Sequence, residues 1–343
     1  MARLAGIDVA RGTAVLGMVT AHVGPDAPGR TTTADRVLEL ADGRPSALFV
    51  VLAGLSLALL SGGRAPAVAR DLTRARVRIA ARALVVLAVG LALERLDTPI
   101  LVILPTYAVL FLAGCAVLTW TVRTLVAAAA TVALVAPAVR EAVGLDADPG
   151  AGLLGDLALL LVGPHYPALV WSAYLLAGLA LGRCDLTAPE VQRRTALVGG
   201  ALAVVGYGGG WLGRLLAEDP ALLSTRPHAS SPVEVVGNTG AALLVVAACL
   251  AAAPRLPRAL SPLAAVGALA FTAYTAQVVV VAAVGPQIVW QPLWTSWLVV
   301  VVATVLACWA WRAWLGRGPL ERLLHGVSAR VAERVVPRAA PVG

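Results

Sequence analysis

The chain has 343 residues, of which 59% are hydrophobic and only 13% are charged, and its mean hydropathy is +0.84. These values exclude an ordinary soluble domain and indicate an integral membrane protein. The net charge is +8 and all 27 basic residues are arginine, but membrane topology accounts for such an excess without a nucleic-acid partner. The four cysteines occur singly in or beside apolar stretches, so they predict neither disulfides nor a metal site.

Apolar runs long enough to cross a bilayer as helices recur about ten times along the chain. They predict an all-α, polytopic helical bundle that forms one transmembrane domain over 1–316. Pro137 shortens the fifth of these spans, and Asn238 interrupts the eighth. A shorter run at 152–164 carries Asp156 and predicts a re-entrant or interfacial piece. The predicted spans are 9–24, 45–61, 79–96, 100–119, 123–139, 166–182, 196–216, 235–253, 262–284 and 294–315.

The arginines predict the orientation of these spans. If the N-terminus is cytoplasmic, the inner segments hold most of the arginines, including the cluster from Arg64 to Arg82. Both termini are therefore predicted to lie in the cytoplasm of a multi-pass plasma-membrane protein. The tail 317–343 predicts a basic amphipathic helix on the anionic inner leaflet. A secretory signal is the alternative for the first segment, although Asp8 and Arg11 interrupt its charged-then-apolar order.

The first predicted span carries ionisable side chains, which are costly inside a membrane and therefore mark functional candidates. Arg11 and His22 are eleven residues apart, which places them on one helix face and separates them by about 16 Å along the axis. Asp8 is a candidate partner for Arg11 at the i, i+3 spacing. The alternatives are a snorkelling anchor for Arg11 and a neighbouring helix that satisfies His22. On one face, the two residues suggest a path or a reaction axis across the membrane.

The second span begins with Asp42 and Arg44 directly before Pro45, a residue suited to the first turn of a helix. Asp42 could cap this helix and complement its dipole. Alternatively, Asp42 and Arg44 lie at the outer mouth beside the end of the first helix, where a carboxylate could orient His22 as a general base.

Further polar residues fall within later spans or in the outer segments. Asn238, Tyr274 and Gln277 are intramembrane groups, for which hydrogen bonding between helices is the simplest alternative. A further group, in outer segments, could contact an acceptor or be ordinary loop residues: His165, His228 and Glu234.

Glycines in the stretch "YGGGW" at 207–211 lie within an apolar helix pattern. A phosphate-binding loop requires glycines between a strand and a helix, so these predict close helix packing or a kink instead.

The stretch "GIDVARGTAVLGMVTAH" resembles the first helix of the acyltransferase 3 family, whose signature is an arginine, ten residues and a histidine, matched by Arg11 and His22. The pattern also resembles bacterial relatives of heparan-alpha-glucosaminide N-acetyltransferase in the same transmembrane acyltransferase superfamily. The resemblance implies a membrane enzyme in which His22 is catalytic and Arg11 belongs to the donor path. The supporting stretches are 42–54, 166–186, 236–244, 263–277 and 318–324.

The function expected from this resemblance is acyl transfer from acetyl-CoA or another acyl-CoA to an extracytoplasmic sugar or glycan, without a metal. His22 would be the base or acyl carrier, and donors to the developing oxyanion are Arg44, Asn238, Tyr274 and Gln277. The expected partners are the lipid bilayer and the acceptor, not nucleic acid, and the chain is compatible with a homodimer. The alternatives are a small-molecule transporter or flippase that uses the same polar stripe, and a non-catalytic scaffold.

Overall fold

The computed structural model describes residues 4–25, 38, 41–144, 152–216 and 221–337. These residues form α-helices, loops and short 3-10 turns such as Ala221–Leu223, with no β-strand among them, so the all-α prediction is confirmed. The helices are α1 Ala5–Val23, α2 Arg44–Leu60, α3 Ala69–Glu94, α4 Leu104–Gly114, α5 Val122–Val143, α6 Gly152–Val162, α7 Ala168–Gly182, α8 Pro189–Leu216, α9 Pro232–Ala252, α10 Ser261–Ala268, α11 Ala270–Val284, α12 Gln287–Trp290, α13 Trp294–Trp314 and α14 Pro319–Val335.

Four of the described helices, α5, α8, α9 and α13, are long and apolar enough to cross a membrane. A fifth candidate is the pair α10 and α11, which bends by 80° at a short break. The predicted span 262–284 is therefore a broken helix. The estimate of about ten spans and the cytoplasmic placement of both termini stay predictions.

Several predicted helix ends differ from the structure. Pro137 lies inside α5, which continues to Val143, because neighbouring groups in a membrane protein can satisfy the backbone that a proline disrupts. The predicted run 100–119 is α-helical only over α4. Helix α3 begins at Ala69, so most of the arginine cluster lies on the same helix as the third apolar run.

Helix α1 is central, because it packs against α2, α9, α10 and α13. Glycines permit the close approaches: Gly12 faces the Leu263 carbonyl, and Gly267 faces the Asp8 carbonyl. Gly17 lies against Pro45 at the start of α2. Small residues at such contacts let helix backbones approach in a membrane. This packing sets the C-terminal half of α1, which carries His22, beside the start of α2.

We expect Gly267→Ala to destabilise the protein by about 1–3 kcal/mol, because the added methyl group would collide with the Asp8 carbonyl of α1. The measurement is the midpoint of thermal unfolding in detergent. The matched control is Gly208→Ala, an exposed position on α8 with open space around it. Alanine should there be neutral or stabilise the helix by about 0.5–1 kcal/mol. Equal midpoints for the two variants would contradict the close α1–α10 packing.

A buried arginine, Arg183, joins the ends of three helices. Its Nη1 donates to the carbonyl oxygens of Ala58 (3.1 Å) and Gly63 (2.7 Å) near the end of α2. Its Nη2 donates to Ser61 Oγ (2.9 Å) and to the Leu118 carbonyl after α4. Carbonyl groups beyond a helix end need partners when they are buried. Arg183 therefore holds the end of α2 and the segment after α4 together, in addition to any contribution to topology.

The C-terminal helix α14 packs against both α3 and α11. Arg82 on α3 donates through Nε to Ser328 Oγ (3.4 Å), and Arg74 donates to the Val336 carbonyl (2.7 Å). Ser328 and Ala332 are buried in this contact. The tail thus contains a helix, α14, which packs against α3 and α11.

Candidate functional site

His22 lies near the C-terminal end of α1 and contacts a buried amide on α11. The distance from Gln277 Nε2 to His22 Nδ1 is 2.6 Å, and Gln277 Nε2 also lies 3.4 Å from the Met18 carbonyl. The amide either donates to Nδ1 or, turned over, accepts a proton from it. The second orientation leaves the lone pair of His22 Nε2 available to take a proton. In either orientation the Gln277 amide occupies Nδ1, so the tautomer of the His22 ring depends on how this amide is turned.

Arg11 lies about 16 Å from His22 along the same helix, and its contacts include the side chains of Asp8 and Ser56. Its Nη1 donates to Asp8 Oδ1 (3.2 Å), which is the i, i+3 pair expected from the sequence. Its Nη2 donates to Ser56 Oγ on α2 (2.6 Å). Asp8 is buried, and the Arg11 side chain is 28% exposed. The guanidinium is thus held in one orientation between α1 and α2.

Two cavities meet at Arg11. Cavity A, of about 580 Å³, is lined by residues that include Asp8, Arg64 and Asp185. Cavity B, of about 350 Å³, is lined by residues that include Tyr107 and Glu321. The two cavities share three residues, two of which are cationic. The shared residues are Arg11, Ser56 and Arg82.

Positive charge dominates cavity B. Arg11, Arg82 and Arg317 line it, and Glu321 is the carboxylate in the same wall. Burial, together with the neighbouring Arg317, Arg82 and Arg78, lowers the pKa of His325 on this wall. Such a field favours an anionic ligand, because clefts lined by one sign of charge raise the local concentration of the opposite sign.

A polar chain links α2, α8 and α9. Arg44 Nε donates to Tyr207 Oη (3.0 Å), and the Arg44 guanidinium also lies over the Tyr207 ring, 4.9 Å from its centroid. Tyr207 Oη donates to Asn238 Oδ1 (2.7 Å), and Asn238 Nδ2 donates to Glu234 Oε1 (3.3 Å). Predicted site residues Arg44, Asn238 and Glu234 are therefore brought together through Tyr207. The arrangement offers several donors and acceptors within a small volume.

The model of the acyltransferase domain family matches residues 4–312, which is nearly the whole chain. The chain belongs to the acyltransferase 3 family. The match includes the first helix with Arg11 and His22, so the resemblance to this family is confirmed and the protein is a membrane acyltransferase by family. No curated protein matches the chain significantly. The relation to heparan-alpha-glucosaminide N-acetyltransferase stays a prediction.

In this acyltransferase 3 protein, the loop before α9 wraps around Glu234. His228 N donates to Glu234 Oε1 (3.0 Å) and Ser230 N to Glu234 Oε2 (2.6 Å). The φ angles of His228 (63°) and Ser230 (54°) are positive, which is strained for residues with side chains. The imidazole of His228 stacks on Trp171, with 6.2 Å between the centroids and 12° between the planes. Glu234 thus fixes an aromatic surface beside the polar chain of Arg44.

We expect His228 to weaken the protein in mild acid. Burial and the nearby His165 lower the pKa of His228 from 6.5 to about 4. In the unfolded chain His228 binds a proton near pH 6.5, but in the folded protein it does so only near pH 4. The free energy of unfolding is therefore highest above pH 6.5 and decreases as the pH falls from 6.5 to 4. The loss should be on the order of 2–3 kcal/mol.

The measurement is the unfolding midpoint in detergent between pH 4 and 7.5, and its dependence on pH should be weaker in His228→Phe than in the wild type. Tyr166→Phe, which alters a ring 5.1 Å from His228 but keeps the imidazole, should retain the wild-type slope. An unchanged pH slope in His228→Phe would contradict this origin.

Three predicted residues of the acyltransferase remain: Tyr274, His165 and Asp42. Tyr274 Oη accepts from Ile103 N (3.3 Å), so Tyr274 and Gln277 of the same helix have different partners. His165 is exposed on the segment between α6 and α7. Asp42 precedes Gly43, and Gly43 is the N-cap residue of α2 with a φ of 73°. The N-cap position is therefore that of Gly43, one residue after Asp42, and the role of Asp42 beside His22 stays a prediction.

Some residues of this acyltransferase site were not singled out from the sequence. Ser56 and Tyr207 lie in apolar or glycine-rich helix patterns, where they read as packing residues. The sequence around Arg82 indicates only topology, whereas the Arg82 side chain lines both cavities. Glu321 lies in the stretch 318–324, and its sequence pattern predicts no role for the carboxylate. In the described ranges, no group of three His, Cys, Asp or Glu is arranged to hold a metal ion.

Proposed function

We propose that this membrane protein transfers an acyl group, acetyl in the simplest case, from cytosolic acyl-CoA to a sugar or glycan on the outer side of the plasma membrane. The observation that carries the proposal is the arrangement along α1. An arginine-lined pair of cavities lies at the Arg11 end, and His22 with its amide partner lies toward the other end. The family supports acyl transfer.

Acyl-CoA suits the Arg11 end because it is elongated and carries several phosphate charges. Arg11 and Arg82 lie where cavities A and B meet, and Arg64 and Arg317 each line one of them. Guanidinium groups bind phosphate through charge-assisted, often bidentate hydrogen bonds. The apolar walls of cavity B, such as Phe49 and Phe111, suit the uncharged part of the donor. We therefore place the donor in the two cavities, with the thioester directed toward His22.

The chemical step needs a base for the acceptor hydroxyl. With the Gln277 amide accepting from Nδ1–H, His22 Nε2 takes the hydroxyl proton as the acceptor oxygen attacks the thioester carbonyl. The carbon–sulfur bond then breaks, and the departing CoA thiolate takes up a proton. The same histidine could instead carry the acyl group before passing it on. Both routes leave one acylated acceptor and one free CoA thiol.

The acceptor is assigned to the polar chain of Arg44, Tyr207, Asn238 and Glu234. Sugar hydroxyls need several fixed donors and acceptors, and this chain supplies them. The ring of Trp171, which stacks on His228, adds an aromatic surface next to it. Asp42 and His165 are the further candidates for acceptor contacts.

A transporter or flippase is the second candidate, and the break between α10 and α11 favours it. Many secondary transporters place their substrate at broken helices within the membrane. The 80° bend occurs next to α1, on the helix pair that carries Gln277. The same polar stripe could then conduct a small molecule without chemical change.

The deciding experiment uses purified protein in liposomes, with acyl-radiolabelled acetyl-CoA on one side and candidate sugars on the other. Acyl transfer predicts labelled sugar and an equal amount of free CoA thiol. If the sugar or the donor crosses the membrane unchanged and no labelled product forms, the transporter is supported and the proposed function is wrong. Cysteine labelling in the same vesicles should find Asp42→Cys outside and Arg76→Cys inside.

A further inference from the structure

Helix α11 begins inside the protein without a cap from its own segment. Leu269 is its N-cap residue and makes no side-chain cap hydrogen bond. The first amide groups of a helix lack intrahelical partners and must find others when they are buried. Here Glu321 of α14 provides them: Oε1 accepts from Phe271 N (2.9 Å) and from Thr272 N (3.0 Å). A residue about 50 positions away thus caps the second half of the broken helix.

The contact is reinforced on the side of α14. Thr272 Oγ1 donates to Glu321 Oε2 (2.6 Å) and accepts from Leu320 N (3.3 Å). A β-carbon at Gly318 would collide with both Glu321 Oε2 and Thr272 Oγ1. The chain therefore has a glycine where any side chain would push the carboxylate from the helix end. The Glu321 carboxylate, with the space that Gly318 leaves for it, thus fixes α14 to the start of α11.

The same helix end leads to the reaction centre. Gln277 follows Phe271 by six residues on α11, a rise of about 9 Å, and it contacts His22 Nδ1 at 2.6 Å. Because an α-helix is stiff over this length, a shift of α11 at Phe271 displaces the amide of Gln277 with it. In the other direction, α14 is joined to the donor cavity through the contact of Arg82 with Ser328. Helix α14 thus connects the cavity wall to the helix that holds His22.

We propose that Glu321 is a positioning residue: by capping α11 it sets the Gln277 amide against His22 and so fixes which ring nitrogen of His22 is the base. Glu321 does not touch the reacting atoms in this assignment. It acts through Gln277, and a negative carboxylate is suited to the task because the N-terminal end of a helix carries partial positive charge. The kinetic part of the test rests on the proposed acyl transfer, whereas the spectroscopic part does not.

The kinetic test is a double-mutant cycle of Glu321→Ala and Gln277→Ala. Glu321→Ala should lower kcat about tenfold, with KM for acyl-CoA unchanged or lower. In the Gln277→Ala background it should cause little further loss, because the two residues act in series. Glu321→Gln, which keeps one acceptor oxygen, should recover part of the activity. The control is Glu333→Gln on the exposed face of α14, which should match the wild type. Additive losses, or a rise in KM alone, would overturn the proposal.

The second test reads His22 directly, by NMR of protein labelled with ¹⁵N-histidine. The chain has only four histidines, and His22→Ala assigns the relevant ring signals. Glu321→Ala and Gln277→Ala should shift the His22 nitrogens in the same way, while Glu333→Gln leaves them in place. If Glu321→Ala does not fold, Glu321→Gln is compared instead. Unchanged His22 signals would refute the positioning role, whether or not acyl transfer is observed. Shifted signals in a protein without transferase activity would leave it standing and count against the proposed function.

Discussion

Replacement of His22 by alanine is expected to lower acyl transfer about 10²- to 10⁴-fold, the usual contribution of a positioned general base. His22 is the imidazole held by the buried Gln277 amide at 2.6 Å, at the far end of α1 from the arginine-lined cavities. Without it, the imidazole to which the proposal assigns the proton of the acceptor is lost. The measurement is the rate of product formation at saturating donor and acceptor, with the unfolding midpoint recorded to show that the fold is intact.

The control for this prediction is Thr13→Ala on the same helix. Thr13 Oγ1 bonds back to the Val9 carbonyl, so its loss should leave the rate within about twofold. Incubation with labelled donor and no acceptor separates the two routes, since label should remain on the wild-type protein only if His22 carries the acyl group. Full activity in a folded His22→Ala protein would remove His22 from the mechanism and with it the axis along α1.

The second large effect is expected at the donor end. Arg82→Ala should raise KM for acyl-CoA about 10- to 150-fold with a smaller change in kcat, because a hydrogen bond to a charged group contributes about 1.5–3 kcal/mol. Arg82 lines both cavities, as does Arg11, for which the same direction is expected. The loss of Arg11 should also leave Asp8 buried without this partner, so Arg11→Ala should be less stable than Arg82→Ala.

The matched control is Arg194→Ala. Arg194 is exposed on α8 and pairs with Glu190 at 3.1 Å, a surface pair of small energetic value. Its removal should leave KM unchanged at moderate salt. The wild-type KM should also rise with ionic strength, and this dependence should weaken in Arg82→Ala. A wild-type KM in both Arg11→Ala and Arg82→Ala would place the donor outside cavities A and B.

Helix content followed from the apolar runs, because a bilayer leaves backbone groups no partner except those of the same helix. The breaks and ends of the helices did not follow. The run 262–284 has no proline or charge at Leu269, yet the structure bends there by 80°. Pro137, which carries a clear breaking signal, lies inside a continuous α5. In both cases packing against neighbouring helices outweighs the preference of the local sequence. A single apolar run does not reveal which helices will pack against it.

Within the candidate site, the same division holds. The pair of Asp8 and Arg11 was predictable, since residues three apart meet on one helix face. Ser56, Tyr207 and Glu321 were not, because each contacts a partner on another helix: Arg11, Arg44 and the start of α11. Their neighbours in the chain are apolar, glycine or basic residues. Such neighbours are also typical of residues that only pack between helices or set the membrane topology, so they do not indicate a site.

The sequence by itself therefore determined the class of protein, the apolar helices and the face shared by Arg11 and His22. These depend on composition and on the helical repeat, both of which are local. Only the tertiary structure decided that Gln277 is the partner of His22, that Arg82 lines the same cavities as Arg11, and that the C-terminal helix caps α11. Such contacts join residues far apart in the chain, and the helix packing that brings them together depends on the whole bundle at once.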